Sequence, residues 1–211
     1  MNIIKKPFRY RYDNVVLVLI AVNLLVYLAE MFLQRFPVVF FLSMNPVLVI
    51  RRGWIWQFLT YMFVHDPRSF SHILFNMFAL FIFGRQVERQ MGSREFLLYY
   101  FLTGTLAGLF SFLVYLFTGY AWISLMGASG AVFAVQLAFA AFFPRSMIYL
   151  WGLLPLRAPV MVLGFTALEV IFMVTGRGGN VAHITHLAGF AFGWFYFIAR
   201  FNINPWNAMR R

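Results

Sequence analysis

The chain contains no cysteine, which rules out disulfides, thiolate nucleophiles and cysteine-ligated metal centres. Charge is scarce as well, since only 11% of the 211 residues are Asp, Glu, Lys or Arg. No low-complexity tail, strong internal repeat or appended soluble domain stands out. The basic start, MNIIKKPFRYRYDN, runs into an apolar segment too long for a signal-peptide core and followed by no small-residue cleavage site. The expectation is a first span that is retained. Two hydrolase signatures are missing too. There is no His-Glu-x-x-His, and two residues after Ser129 stands Ala131, where the soluble hydrolase elbow needs glycine.

Apolar residues fill the space that charge leaves. They make up 63% of the chain, and aromatics alone 21%, which puts it in the membrane class. The expected fold is an all-α polytopic membrane protein. One membrane domain over 1–211 carries six spans, at about 14–33, 70–87, 94–117, 129–143, 158–175 and 181–201. With both termini inside, twelve Lys and Arg face the cytoplasm: Lys5, Lys6, Arg9, Arg11, Arg85, Arg89, Arg94, Arg145, Arg157, Arg200, Arg210 and Arg211. Five face out: Arg35, Arg51, Arg52, Arg68 and Arg177. The net charge of +11 flanks spans and forms no basic soluble surface. It predicts contact with anionic lipids and no nucleic-acid partner.

The one long loop, about 34–69, is too apolar for a soluble linker. Pro37 and Pro46 break it, and Trp54, Trp56, Tyr61 and Phe63 suit headgroup depth. It is read as partly embedded in the outer interface. The fourth span poses a second question, because from Ser129 to Phe143 it is only ~22 Å long against a core of ~30 Å. Its start is therefore submerged, and the preceding TGYAWISLMGA dips into the membrane as non-helical backbone, which is tolerated only against protein or a watery cavity.

Spans two, four and six all run inward and carry polar residues near their outer starts: His72 and Asn76, then Ser129, then His183 and His186. Ionisable residues inside a membrane are costly and point to function. Serine becomes a nucleophile when a base takes its proton, and neutral histidine is the usual base. Ser129 with His183 or His186 makes a dyad. A helix start offers free N–H groups to a developing oxyanion, and His72 and Asn76, four apart, share a face from which both can donate.

These residues resemble the signatures of the rhomboid intramembrane serine proteases: SHILFNMFALFIFGRQVERQMGS, MGASGAVFA and AHITHLAGFAFG, over roughly Trp54 to Phe201. The resemblance implies a six-span core with Ser129 as nucleophile and His186 as base. It implies an oxyanion hole of His72, Asn76 and the Ser129 N–H. Gly127, Gly130, Gly189, Gly193 and Phe133 pack around the dyad, and Gly189 and Gly193 let the sixth helix approach the fourth. His183 does not fit the His-x-x-Gly pattern and is assigned a structural or water-organising role. Glu88 resembles a position that helps hold the outer loop from within the fold, and Trp54, Trp56 and Gln57 resemble loop anchors. Phe133 stands where many bacterial relatives carry a tyrosine against the histidine.

No aspartate orients the base and neither Glu30 nor Glu169 sits in the three motifs, so the imidazole is expected to be positioned by packing. Glu30 and Glu169 stay unassigned, and His65 reads as interfacial or capping. The residues ask for no cofactor and no metal. Expected partners are transmembrane protein substrates and membrane lipids, in a plasma or inner membrane. The oligomeric state is left open. Three rivals remain: a catalytically silent rhomboid-like chaperone or adaptor, a proton-coupled transporter using the acids and histidines, and a histidine-ligated metalloprotease.

Overall fold

A computed structural model describes residues 7–33, 37–150, 152–176 and 180–210. Lys5, Lys6, Arg35, Arg177 and Arg211 of the charge count lie outside the described residues. Among those described, four helices are long and apolar enough to cross a bilayer alone: α1 (Val15–Phe32), the stretch Phe70–Met91, α7 (Ser93–Thr118) and α9 (Ala158–Thr175). The stretch 70–91 consists of α5 (Phe70–Ala79), a wide π turn at Leu80–Gly84 and α6 (Arg85–Met91). Two further helices complete the six, α8 (Ser129–Phe142) and α10 (Asn180–Tyr196), the latter prolonged by a second π turn to Phe201. The chain is an all-α polytopic membrane protein, as expected from its apolar runs.

The shortest spanning helix is the central one. α8 is apolar apart from Ser129 and Gln136 and, Phe133 excepted, buried from Gly130 to Ala141, the pattern of a helix enclosed by others. α10 and α7 pack on it and on each other. Close packing depends on small residues, since helices in lipid gain little from hydrophobicity alone. A Cβ on Gly189 would lie 1.9 Å from the Gly130 carbonyl oxygen, and one on Gly193 would lie 2.6 Å from the Tyr99 hydroxyl.

The outer loop folds into three short helices, α2 (Val38–Leu42), α3 (Pro46–Arg52) and α4 (Gln57–Thr60), and a 3-10 turn at Tyr61–Phe63. Pro37 and Pro46 stand at helix starts, where a missing N–H costs nothing. Phe40, Phe41, Ile55 and Trp56 are exposed, which suits a loop lying in the interface. Gln57 anchors it as expected, accepting from the Asn45 N–H at 3.1 Å and donating to the Phe40 and Phe41 carbonyls. Trp56 Nε1 donates to the Phe41 carbonyl at 3.0 Å.

Glu88 departs from expectation. Its carboxylate accepts from the Val15 and Val16 N–H groups and the Ser93 hydroxyl, so among the described residues it caps the start of α1 and bonds to none in the outer loop. Free N–H groups at a helix start favour a carboxylate there. Between the start of α7 and the end of α10, Glu95 pairs with Arg200 at 2.7 Å and accepts from Tyr196. The other surprise is a hairpin between α8 and α9, β1 (Met147–Leu150) against β2 (Leu154–Arg157), with Met147 opposite Arg157.

Candidate active site

Backbone outside the helices sets the position of Ser129. From Gly119 to Ala128 the chain is non-helical, as the shortness of the fourth span requires. Leu125 exchanges two backbone hydrogen bonds with Met44 of the outer loop, at 2.8 and 2.9 Å, and the Gly127 N–H donates to the Tyr61 carbonyl at 2.9 Å. Tyr61 in turn donates to the Gly104 carbonyl of α7 at 2.6 Å, and burial raises its phenol far above the usual range, so the O–H stays a donor. Gly127 has φ +115°, a conformation that a side chain strains. A Cβ there would also meet His72 Nε2 at 2.8 Å.

The segment ends at Ser129, the first residue of α8, whose hydroxyl lies 2.7 Å from Nε2 of His186 on α10. Phe133, one turn into α8, stacks on the His186 ring at 4.6 Å and 8°. The ring contact expected of this position is therefore present without the hydroxyl. Thr185, beside His186, shares a 2.7 Å hydrogen bond with Ser111 of α7. A phenyl ring thus covers one face of the imidazole, and the neighbouring residue ties α10 to α7.

An acid also stands beside the base, contrary to the expectation that packing alone positions it. A Glu169 oxygen on α9 lies 3.1 Å from His186 Nδ1 and in closer contact with His183 Nδ1. The first contact is electrostatic and not an in-line hydrogen bond. Among the described residues, His186 Nδ1 has no hydrogen-bond partner. No shared motif links α9 and α10 in sequence. The available signal was that a lone intramembrane glutamate asks for a partner.

Across the site, α5 presents His72 and Asn76. His72 Nδ1 accepts from the Asp66 N–H at 3.4 Å, which leaves the ring proton on Nε2, the nitrogen facing Gly127. Asn76 spends one amide hydrogen on the His72 carbonyl at 2.8 Å and keeps a second to donate. Ser129, His186, His72, Asn76, Phe133 and Gln136 line one cleft of about 660 Å³. A free serine hydroxyl against an imidazole, with donors opposite, suits acyl transfer.

His65 lies behind this site and not at the interface. It is fully buried, its ring 5.1 Å from that of His72 and its N–H 3.4 Å from the Glu30 carboxylate. Burial, aided by His72, lowers its pKa from 6.5 to about 4. The unfolded chain therefore binds this proton below about pH 6.5 while the folded protein resists it. Its contribution is intact above 6.5 and is lost as pH falls towards 4, by up to about 3 kcal/mol. Thermal unfolding in detergent between pH 7 and 4.5 should show a smaller drop in melting temperature for His65→Gln than for wild type. Equal drops would contradict a buried neutral His65.

Comparison with known proteins follows the same lines. The model of the Rhomboid domain matches residues 52–203. Rhomboid protease GlpG of Haemophilus influenzae is 30% identical over 183 residues, covering 86% of this chain and 90% of that protein. RHOMBOID-like protein 12, mitochondrial, of Arabidopsis thaliana is 31% identical over 140 residues, and the chain spans 40% of its length. Rhomboid protease GluP of Bacillus subtilis is 30% identical over 152 residues, 26% of its length.

Proposed function

Since the chain belongs to the rhomboid family, we propose that it is an intramembrane serine endopeptidase that cuts transmembrane helices of other membrane proteins near the outer face. Its termini lie on the cytoplasmic side of a plasma membrane. The observation that carries the reading is the 2.7 Å contact between Ser129 Oγ and His186 Nε2, at the start of a helix that begins inside the bilayer.

His186 takes the Ser129 proton as Oγ attacks the scissile carbonyl. The Ser129 N–H, His72 Nε2–H and the second Asn76 amide hydrogen then meet the oxyanion. His186 returns the proton to the leaving amine, and water hydrolyses the acyl-enzyme with His186 again as base. A helical substrate hides its carbonyls in intrahelical bonds, so the segments cut are those with small or helix-breaking residues.

Glu169 adds negative charge beside Nδ1, which favours the imidazolium as it forms. Because the contact is out of line, Glu169→Gln is expected to lower kcat about tenfold, ~1.4 kcal/mol, with KM unchanged. Steady-state cleavage kinetics test this, and an unchanged kcat would make the carboxylate inert. The reading as a whole is tested by reconstituting the purified chain in liposomes with a transmembrane substrate carrying small residues at its outer end. Product with the expected new termini supports it, and folded protein that yields none contradicts it.

A further inference from the structure

Glu169, His183 and His186 bring one ligand atom each to within 4.8 Å of the others. His183 and His186 are three residues apart on α10, so their rings leave the same side of the helix. Glu169 reaches them from α9 through one oxygen, whose contact with His183 Nδ1 is the tighter of the two and must open for a cation to enter. The geometry of the His186 contact is informative, because Nδ1 and the carboxylate oxygen are 3.1 Å apart yet not aligned for a hydrogen bond. Two ligands of a tetrahedral cation, each at ~2.0–2.1 Å from it, stand ~3.3 Å apart with their lone pairs converging on a third point. Two imidazole nitrogens and one carboxylate oxygen form a donor set for a borderline divalent cation of the zinc class.

We propose that Glu169, His183 and His186 form an inhibitory divalent-cation site that switches off the Ser129–His186 pair. The inference rests on the peptidase reading above for its consequence, though not for binding itself. A cation on His186 Nδ1 leaves the ring proton on Nε2, the nitrogen facing Ser129. That nitrogen then donates to the hydroxyl and cannot take its proton. The catalytic pair stays assembled but loses its base, and removal of the cation restores it. His72, the oxyanion donor, is not a ligand, so the site acts on the base alone.

The test uses the full chain in detergent, stripped with chelator, and titrated with Co2+ as a visible probe. Wild type should show the ligand-field bands of tetrahedral cobalt at one equivalent, and Zn2+ should bleach them and stop cleavage reversibly. Ser129→Ala keeps all three ligands and should keep the bands. His183→Gln and Glu169→Gln should lose them. In His183→Gln the Zn2+ needed for half-inhibition should rise at least about tenfold. Wild type without tetrahedral bands overturns the site, as do bands of equal strength in wild type and both ligand variants. Cleavage unaffected by Zn2+ overturns it too. Cobalt bands lost in the ligand variants, in a chain that cleaves nothing when metal-free, would support the cation site while contradicting the peptidase reading.

Discussion

Gly189→Ala is expected to cost at least about a hundredfold in kcat/KM while leaving a folded protein. The added Cβ would fall 1.9 Å from the Gly130 carbonyl oxygen, 2.6 Å from its carbonyl carbon and 3.0 Å from its Cα. All three are backbone atoms of α8 and cannot swing aside, so α10 must retreat by more than about 1 Å to restore contact distance. His186 sits one turn before Gly189 on the same helix, and Ser129 immediately precedes Gly130. The retreat therefore opens the 2.7 Å dyad contact directly, and displacements of ~1 Å in a catalytic pair cost on the order of 10²-fold. Gly164→Ala is the control, because a Cβ there meets nothing within 4 Å. Circular dichroism with kinetics separates the effects. A Gly189→Ala protein within twofold of wild type would mean that helix contact does not set the dyad.

Ser129→Ala and His186→Ala are each expected to abolish detectable cleavage. Serine peptidases lose roughly 10⁶ in kcat on losing either partner. The more specific expectation is non-additivity. Once Oγ is gone the imidazole has no proton to take, so the double variant should be no slower than either single one. A His186→Ala protein that keeps a tenth of wild-type activity would move the base elsewhere. His183 is the alternative on α10, but the contact the structure gives it in this cluster is to Glu169, and its ring centre lies 6.3 Å from that of His186.

Much of this site was legible because it depends on local spacing. A helix too short for the bilayer placed its own start at depth, and α8 does begin at Ser129. The four-residue spacing put His72 and Asn76 on one face of α5, and the glycines of α10 do meet α8, Gly189 at Gly130 and Gly193 at Ala134. Contacts between helices without shared spacing were not legible. Glu169 joins His186 across two helices, and Glu88 reaches α1 from α6, pairings that no periodicity encodes. His65 shows the same limit, since a histidine in a loop reads as polar surface until packing buries it. Asn45, which was not singled out, caps α3 and donates to the Trp122 carbonyl and the Ser124 hydroxyl. Its value comes from a loop partner nearly eighty residues away.

The measurement closest to the central claim is labelling of purified protein by a fluorophosphonate probe, with the modified residue located by peptide mass spectrometry. Stoichiometric modification of Ser129 in wild type, lost in His186→Ala and kept in His183→Ala, is the expected result, because only a serine whose proton is taken attacks the probe. No modification of folded wild-type protein, or equal modification of wild type and His186→Ala, would contradict a Ser129–His186 catalytic pair.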